Sequence, residues 1–142
     1  MKQTFIDELN GIQDFLQQEF KKDPSVYVER LRLLNTFLAR TGVLLAVAKY
    51  ELASEIGKIY ETEAEKIKSF TPTQTKEYIK GRTATASFYV DWCDRMNSNC
   101  VHQAENLRTL LSYEKAQMQF VYSQKGGRYG KRTKFDTIQQ TK

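Results

Sequence analysis

A chain of 142 residues, 40% hydrophobic and 27% charged, is the size of one domain. With only two prolines and seven glycines, it lacks the punctuation that a loop-rich β-sandwich or barrel requires. The formal charge of +5 is localised: residues 1–124 hold 16 Lys/Arg against 16 Asp/Glu, and residues 125–142 hold six against one. This excludes a net cationic body and leaves the C-terminal segment as the attractor for acidic partners.

The first predicted element is a short amphipathic helix over residues 4–22. Phe5, Leu9, Ile12, Leu16 and Phe20 recur at steps of three and four, forming one apolar stripe. Gly11 weakens this helix, and a segment so short needs a surface to dock on.

Asp23-Pro24 is a start signal, with Asp23 placed to cap free amides and Pro24 suited to the first helical position. One helix is predicted over 24–69, about 65–70 Å long at 1.5 Å per residue. Leu31, Leu34, Leu38, Leu45, Ala48, Leu52, Ile56 and Ile59 follow the spacing of a coiled-coil seam. Leu33, Phe37, Leu44 and Val47 widen that seam until the helix is apolar around more than half its circumference. Either the N-terminal helix or a second chain must cover this girdle.

Thr71-Pro72-Thr73-Gln74 repeats the start signal as a capping box, and the connection before it is short enough to force an antiparallel hairpin. The last helix is predicted over 72–124. Tyr78, Tyr89, Trp92, Met96, Cys100, Leu107, Leu110, Met118 and Val121 hold its broad side. Residues 83–90 are rich in Thr, Phe, Tyr and Val, which also suit a strand, but no second strand exists for them to pair with. Gly126-Gly127 predicts the helix end, and residues 125–142 are expected to be a disordered basic tail.

The expected fold is therefore all-α: an antiparallel hairpin of two long helices, a short N-terminal helix packed on it, and a flexible C-terminal tail. The helical domain spans residues 1–124.

Several residue groups bear on function. Lys125, Arg128, Tyr129, Lys131, Arg132, Lys134 and Phe135 interleave cations, glycines and aromatics, a mixture that suits single-stranded nucleic acid through phosphate contacts and base stacking. Leu33, Phe37, Leu44 and Val47 are the candidate oligomer interface. Glu51, Glu55, Asp91 and Asp94 fall at one level of an antiparallel hairpin, where carboxylates can hold a hard cation. Lys49, Lys58 and Arg95 stand ready to pair with them instead, so no metal site is assigned. Asn99, His102, Gln103 and Asn106 suggest a buried polar layer of the kind that fixes helix register. Cys93 and Cys100 lie two turns apart, about 10 Å along one helix, too far to bridge, and read as reduced thiols. His102 has no acid placed to orient it, so no catalytic residue and no cofactor is assigned.

Residues 1–10 carry two acids and no long apolar run, so no secretory leader is expected. The longest strongly apolar stretch, 43–48, is far short of the roughly 20 residues a bilayer demands. The expected setting is the cytoplasm.

Residues 106–115, Asn-Leu-Arg-Thr-Leu-Leu-Ser-Tyr-Glu-Lys, resemble the C-terminal helix of small helical bacteriophage and prophage proteins of uncharacterised role. The resemblance implies a small cytosolic accessory protein, some relatives of which lie among replication and recombination genes. It carries no functional residues over.

Together these readings predict a non-enzymatic, self-associating scaffold, dimeric or tetrameric, that contacts nucleic acid or a protein partner. The rival expectations are a protein-binding inhibitor or adaptor acting on a host enzyme, and a metal-dependent nucleotide hydrolase.

Overall fold

A computed structural model describes the backbone of residues 1–136 and the side chains of residues 1–126. Five helices follow in order: α1 (Gln3–Gln17), α2 (Pro24–Thr62), α3 (Ala64–Lys68), α4 (Pro72–Arg82) and α5 (Ala84–Asp136). Among the described residues there is no strand. The long helices α2 and α5 run antiparallel as the two arms of a hairpin. The short helix α1 lies along both of them.

Both predicted start signals operate. The Asp23 carboxylate accepts from the Ser25 amide at 2.8 Å, with Pro24 directly after it at the head of α2. These hydrogen bonds from the Ser25 side chain and backbone hold the Asp23 carboxyl below its ordinary range. At α4, the Gln74 amide donates to Thr71 Oγ1 at 3.2 Å and the Thr71 amide to Gln74 Oε1 at 3.0 Å, a closed capping box.

The predicted helices differ from the observed ones at four places. α1 stops at Gln17 rather than at residue 22, because its end is held from outside. Arg30 Nη2 donates to the Phe15 carbonyl at 2.8 Å, and Gln103 Nε2 to the Leu16 carbonyl at 2.7 Å. Both carbonyls belong to the last helical turn, where that of Phe15 also accepts from the Gln18 amide at 3.2 Å. Phe20 consequently sits in the connection.

The first long helix is interrupted at Glu63 and the second at Thr83. Thr83 is buried, and its Oγ1 donates back to the Ile79 carbonyl at 2.8 Å, a bond that bends helices. The two interruptions face each other. Arg82 Nη1 donates to Glu63 Oε1 at 2.6 Å, and the Tyr78 hydroxyl donates to Glu63 Oε2. The Tyr78 hydroxyl and then the Arg82 guanidinium hold the Glu63 carboxyl low. The hairpin tip is thus formed by α3 and α4, set off from the two long arms by these interruptions.

Finally, α5 continues through Gly126 and Gly127 to Asp136, where a stop after Gln124 was expected. No glycine among the described residues has the positive φ that ends a helix in a glycine cap. The remainder of the expected tail, residues 137–142, lies outside the described residues, as do the side chains from Gly127 onward.

The core lies where three helices meet. Phe5, Leu9, Ile12 and Leu16 of α1 are buried together with Leu34, Leu44 and Ala48 of α2 and Cys93, Met96, Cys100, Ala104 and Leu107 of α5. From Ile79 of α4 through Thr83 and along α5, the line facing α2 reads Ile79, Thr83, Ala86, Val90, Cys93, Asn97, Cys100, Ala104, Leu107, Leu111 at steps of four and three, a heptad seam. Most of it is small, and it faces the buried Leu34, Leu44 and Ala48 of α2.

An 18-residue window of α2 has a mean hydropathy of 1.4, so by length and composition alone this helix is able to cross a bilayer. Here its apolar flank packs on α1 and α5.

Candidate interaction surface

The apolar girdle of α2 is covered first by the chain itself. Leu44 is buried in the three-helix core. The Phe37 ring packs against Phe15 of α1 with centroids 4.6 Å apart. Leu33 is half-buried, beside Phe15 and Phe20 at the end of α1. Of the four candidate interface residues only Val47 remains exposed, at the edge of a shallow groove that Phe5, Arg40, Val43 and Glu51 also line. The N-terminal helix is therefore the element that the girdle called for. It is fixed at its other flank by Arg40, whose guanidinium pairs with Glu8 and holds that carboxyl low.

The polar layer also forms from other residues than expected. Asn99, His102 and Asn106 are exposed. Gln103 is joined instead by Arg30, Thr41 and Asn97. Asn97 Nδ2 donates to Thr41 Oγ1 at 3.0 Å, and Thr41 Oγ1, fully buried, donates to the Leu38 carbonyl at 2.9 Å.

Arg30 is 5% exposed. Its guanidinium lies between the rings of Phe15 and Phe20 at 4.4 and 4.3 Å, and donates to Gln103 Oε1 at 3.1 Å. Burial alone lowers its pKa from the usual range. Among the described residues no carboxylate is bonded to it, and the two ring faces and the α1 C-terminus supply the negative potential. Its Nε is the one buried side-chain nitrogen or oxygen among the described residues with no hydrogen-bond partner.

Glu51, Glu55, Asp91 and Asp94 are all exposed, and among the described residues no group of three or more potential ligands comes together to hold a metal ion.

Cys93 and Cys100 are unpaired and fully buried. Burial pushes the Cys93 thiol up to about 11 and the Cys100 thiol in the same direction. At pH 7 about one thiol in 10⁴ is then ionised at Cys93. Both are expected to react with a disulfide probe at least roughly a hundredfold more slowly in the native protein than in denaturant. Equal rates in the two conditions would show that the α2–α5 seam opens freely.

A run of exposed apolar side chains lies on α5. With Thr41 opposite Asn97, the start of α2 at Pro24 lies level with about residue 114 of α5, given equal rise along both arms. Beyond that level α5 runs on to Asp136, about 33 Å at 1.5 Å per residue. Among the described residues Leu107 is the last buried one, Leu111 and Glu114 are half-buried, and residues 115–126 are all exposed. Leu110, Tyr113, Met118, Phe120, Val121 and Tyr122 stand 43–74% exposed. On a 100° helical wheel they spread over about 200°, and Arg108, Ser112, Lys115, Gln119 and Ser123 hold a narrower polar arc of about 80°.

The cationic run begins where this face ends. Lys125 is exposed on the same helix, and Arg128, Tyr129, Lys131, Arg132, Lys134 and Phe135 lie outside the residues whose side chains are described.

Comparison with protein-family models, with curated proteins and with solved structures found no match to this chain.

Proposed function

We propose that this protein is a non-enzymatic, self-associating helical accessory factor that contacts nucleic acid through the basic end of α5. It would be of the kind that bacteriophages encode beside replication and recombination functions. One observation carries this reading. About 15 Å of α5, residues 115–124, leaves the folded body with its apolar side chains uncovered and leads directly into a segment of six cations and one acid. A scaffold that joins copies through such a helix multiplies a weak basic segment by avidity.

The test is anisotropy of a labelled single-stranded oligonucleotide against the full chain and a chain ending at Gln124. Phosphate contacts on single strands weaken with a log–log salt slope of about −0.7 per contact. Four to six contacts therefore lower affinity by roughly 50- to 300-fold between 50 and 200 mM salt. The shortened chain should not bind. Equal binding by the two chains would overturn the assignment of residues 125–142.

A second reading, an inhibitor or adaptor for another protein, is supported by Phe120 and Tyr122, 65% and 74% exposed. Aromatics so displayed serve as anchors in a partner's groove. Recovery of full-length chain with one discrete host protein, and no oligonucleotide binding at low salt, favours it.

A further inference from the structure

The free end of α5 carries a stripe that faces away from α2. Leu107 and Leu111 mark the side turned toward α2. At 100° per residue, Tyr113 and Phe120 stand about 150° round the helix from them. Gln117 and Gln124 share their side, so the stripe reads Tyr113, Gln117, Phe120, Gln124 at steps of four and three. All four are exposed, Tyr113 by 62% and Phe120 by 65%. The same register carries on along the helical backbone to positions 128, 131 and 135, occupied by Arg128, Lys131 and Phe135.

We infer that this stripe is a single-strand site: Tyr113 and Phe120 stack on unpaired bases, Gln117 and Gln124 bond to base edges, and the cations that follow hold the phosphates. This rests on the nucleic-acid contact proposed above. It adds a base-binding part within residues 113–124 and commits the ligand to single strands.

Three observations select this ligand. The first is charge. Residues 115–135 hold six Lys/Arg and no Asp/Glu, so the whole length of α5 beyond the body attracts a polyanion. Glu114, the nearest acid along α5, is half-buried and lies about 90° off the stripe.

The second is the make-up of the stripe. A ring followed by a carboxamide, twice over, offers a π-face and then a donor and an acceptor, which suit the face and the edge of an unstacked base. A bilayer surface or a protein groove requires an unbroken apolar face instead, and Gln117 and Gln124 break it here. Paired bases are already stacked on one another, so a duplex meets only the cations.

The third is pre-organisation. Gln117 Nε2 donates to the Tyr113 hydroxyl at 2.7 Å, which ties that ring to the stripe while leaving most of it in solvent. Tyr113, Gln117 and Phe120 line one shallow groove together with Ala116, whose small side chain leaves room beside the two rings.

The experiment is anisotropy of a labelled oligothymidylate of about 12 nucleotides, and of the same strand annealed to its complement, against the full chain across a salt series. Circular dichroism confirms that each variant keeps its helix content. Phe120→Ala should weaken single-strand binding by roughly 5- to 150-fold. It should leave the salt slope and the duplex affinity unchanged, because no phosphate contact is lost. Phe120→Tyr, which keeps a ring, should stay within about twofold of wild type. Tyr122→Ala is the control. Tyr122 is 74% exposed on the same helix but lies about 160° from Phe120, and its loss should change single-strand affinity by less than about twofold.

A Phe120→Ala chain that binds the single strand as wild type does, or that loses single-strand and duplex affinity equally, overturns this inference and leaves Phe120 to the protein-partner reading. Equal losses from Phe120→Ala and Tyr122→Ala overturn the stripe as the site. A wild-type chain that binds neither oligonucleotide at low salt overturns this inference together with the nucleic-acid reading on which it rests.

Discussion

Leu34→Ala should destabilise the protein by about 3–5 kcal/mol, a large share of the roughly 5–15 kcal/mol that holds a domain of this kind together. Leu34 is fully buried. One heptad from the Thr41–Asn97 pair, it lies level with Ala104 of α5, which is also buried. A leucine set against an alanine leaves no neighbour able to swing into the space that truncation opens. The surrounding helices are held at three sides by α1, α2 and α5, so the site cannot collapse, and the cavity term is added in full to the lost transfer energy. Urea unfolding followed by circular dichroism and by Trp92 fluorescence measures the loss. Leu110→Ala, on the exposed side of α5, is the matched control and should cost less than about 1 kcal/mol. A Leu34→Ala loss no greater than that of Leu110→Ala would show that α1 does not close this level of the core.

The second large effect is expected at Arg30. Arg30→Ala should cost about 2–4 kcal/mol and should free α1 before the hairpin melts. The substitution removes the guanidinium from between Phe15 and Phe20 and leaves the Phe15 carbonyl with the Gln18 amide alone as donor. Gln103 is then alone at the end of α1.

The opposing term is the desolvation of a buried charge, which the wild-type protein bears without a carboxylate partner and which alanine relieves. Two aromatic faces and a helix C-terminus offset most of that cost, so the lost contacts dominate. Arg30→Lys keeps the charge but cannot present a flat guanidinium to both rings, and should fall between wild type and alanine.

The readout is specific to α1. The Trp92 indole N–H donates to Gln13 Oε1 at 3.0 Å, so the single tryptophan senses whether α1 is docked. An early change in Trp92 emission, preceding loss of helical dichroism, is the expected signature. A single coincident transition with wild-type midpoint would show that the clamp contributes nothing.

The architecture was legible where the sequence carries backbone chemistry. Asp23-Pro24 and Thr71-Pro72-Thr73-Gln74 mark two helix starts because capping geometry depends on local residues alone, and both caps form as the spacing requires. The stripe Phe5, Leu9, Ile12, Leu16 identifies α1 and its buried face for the same reason. The girdle of α2 demanded a cover, and the choice between α1 and a second chain was open until the packing of Phe15 on Phe37 placed α1 there.

What stayed hidden depends on partners distant in the chain. The α5 seam is built of Thr83, Ala86, Cys93, Asn97, Cys100 and Ala104, residues too small or too polar to stand out beside Tyr89 and Trp92, although the alternating steps of three and four are present. The end of α1 at Gln17 is set by Arg30 and Gln103, and nothing within residues 3–22 announces it. The polar layer was assigned to Asn99, His102, Gln103 and Asn106, of which Gln103 alone turns inward. Which face of a polar stretch turns inward is decided by Thr41 and Leu38 on the opposite arm. The bend at Thr83 was read only as a weak strand tendency, because a threonine that bonds its own preceding turn looks, in sequence, like one that prefers an extended chain.

The docking of α1 has a consequence for biosynthesis. Gln13 waits for Trp92, 79 residues later, and Leu16 for Gln103, 87 residues later. At a translation rate of about 5–20 residues per second, the greasy side of the first helix is without its final cover for roughly 4–18 seconds. A nascent chain in that interval presents a solvent-facing amphipathic segment to whatever binds such segments near the ribosome. Maturation of this protein is thereby tied to completion of its last helix, and premature termination anywhere before residue 107 yields a product that cannot close its interior.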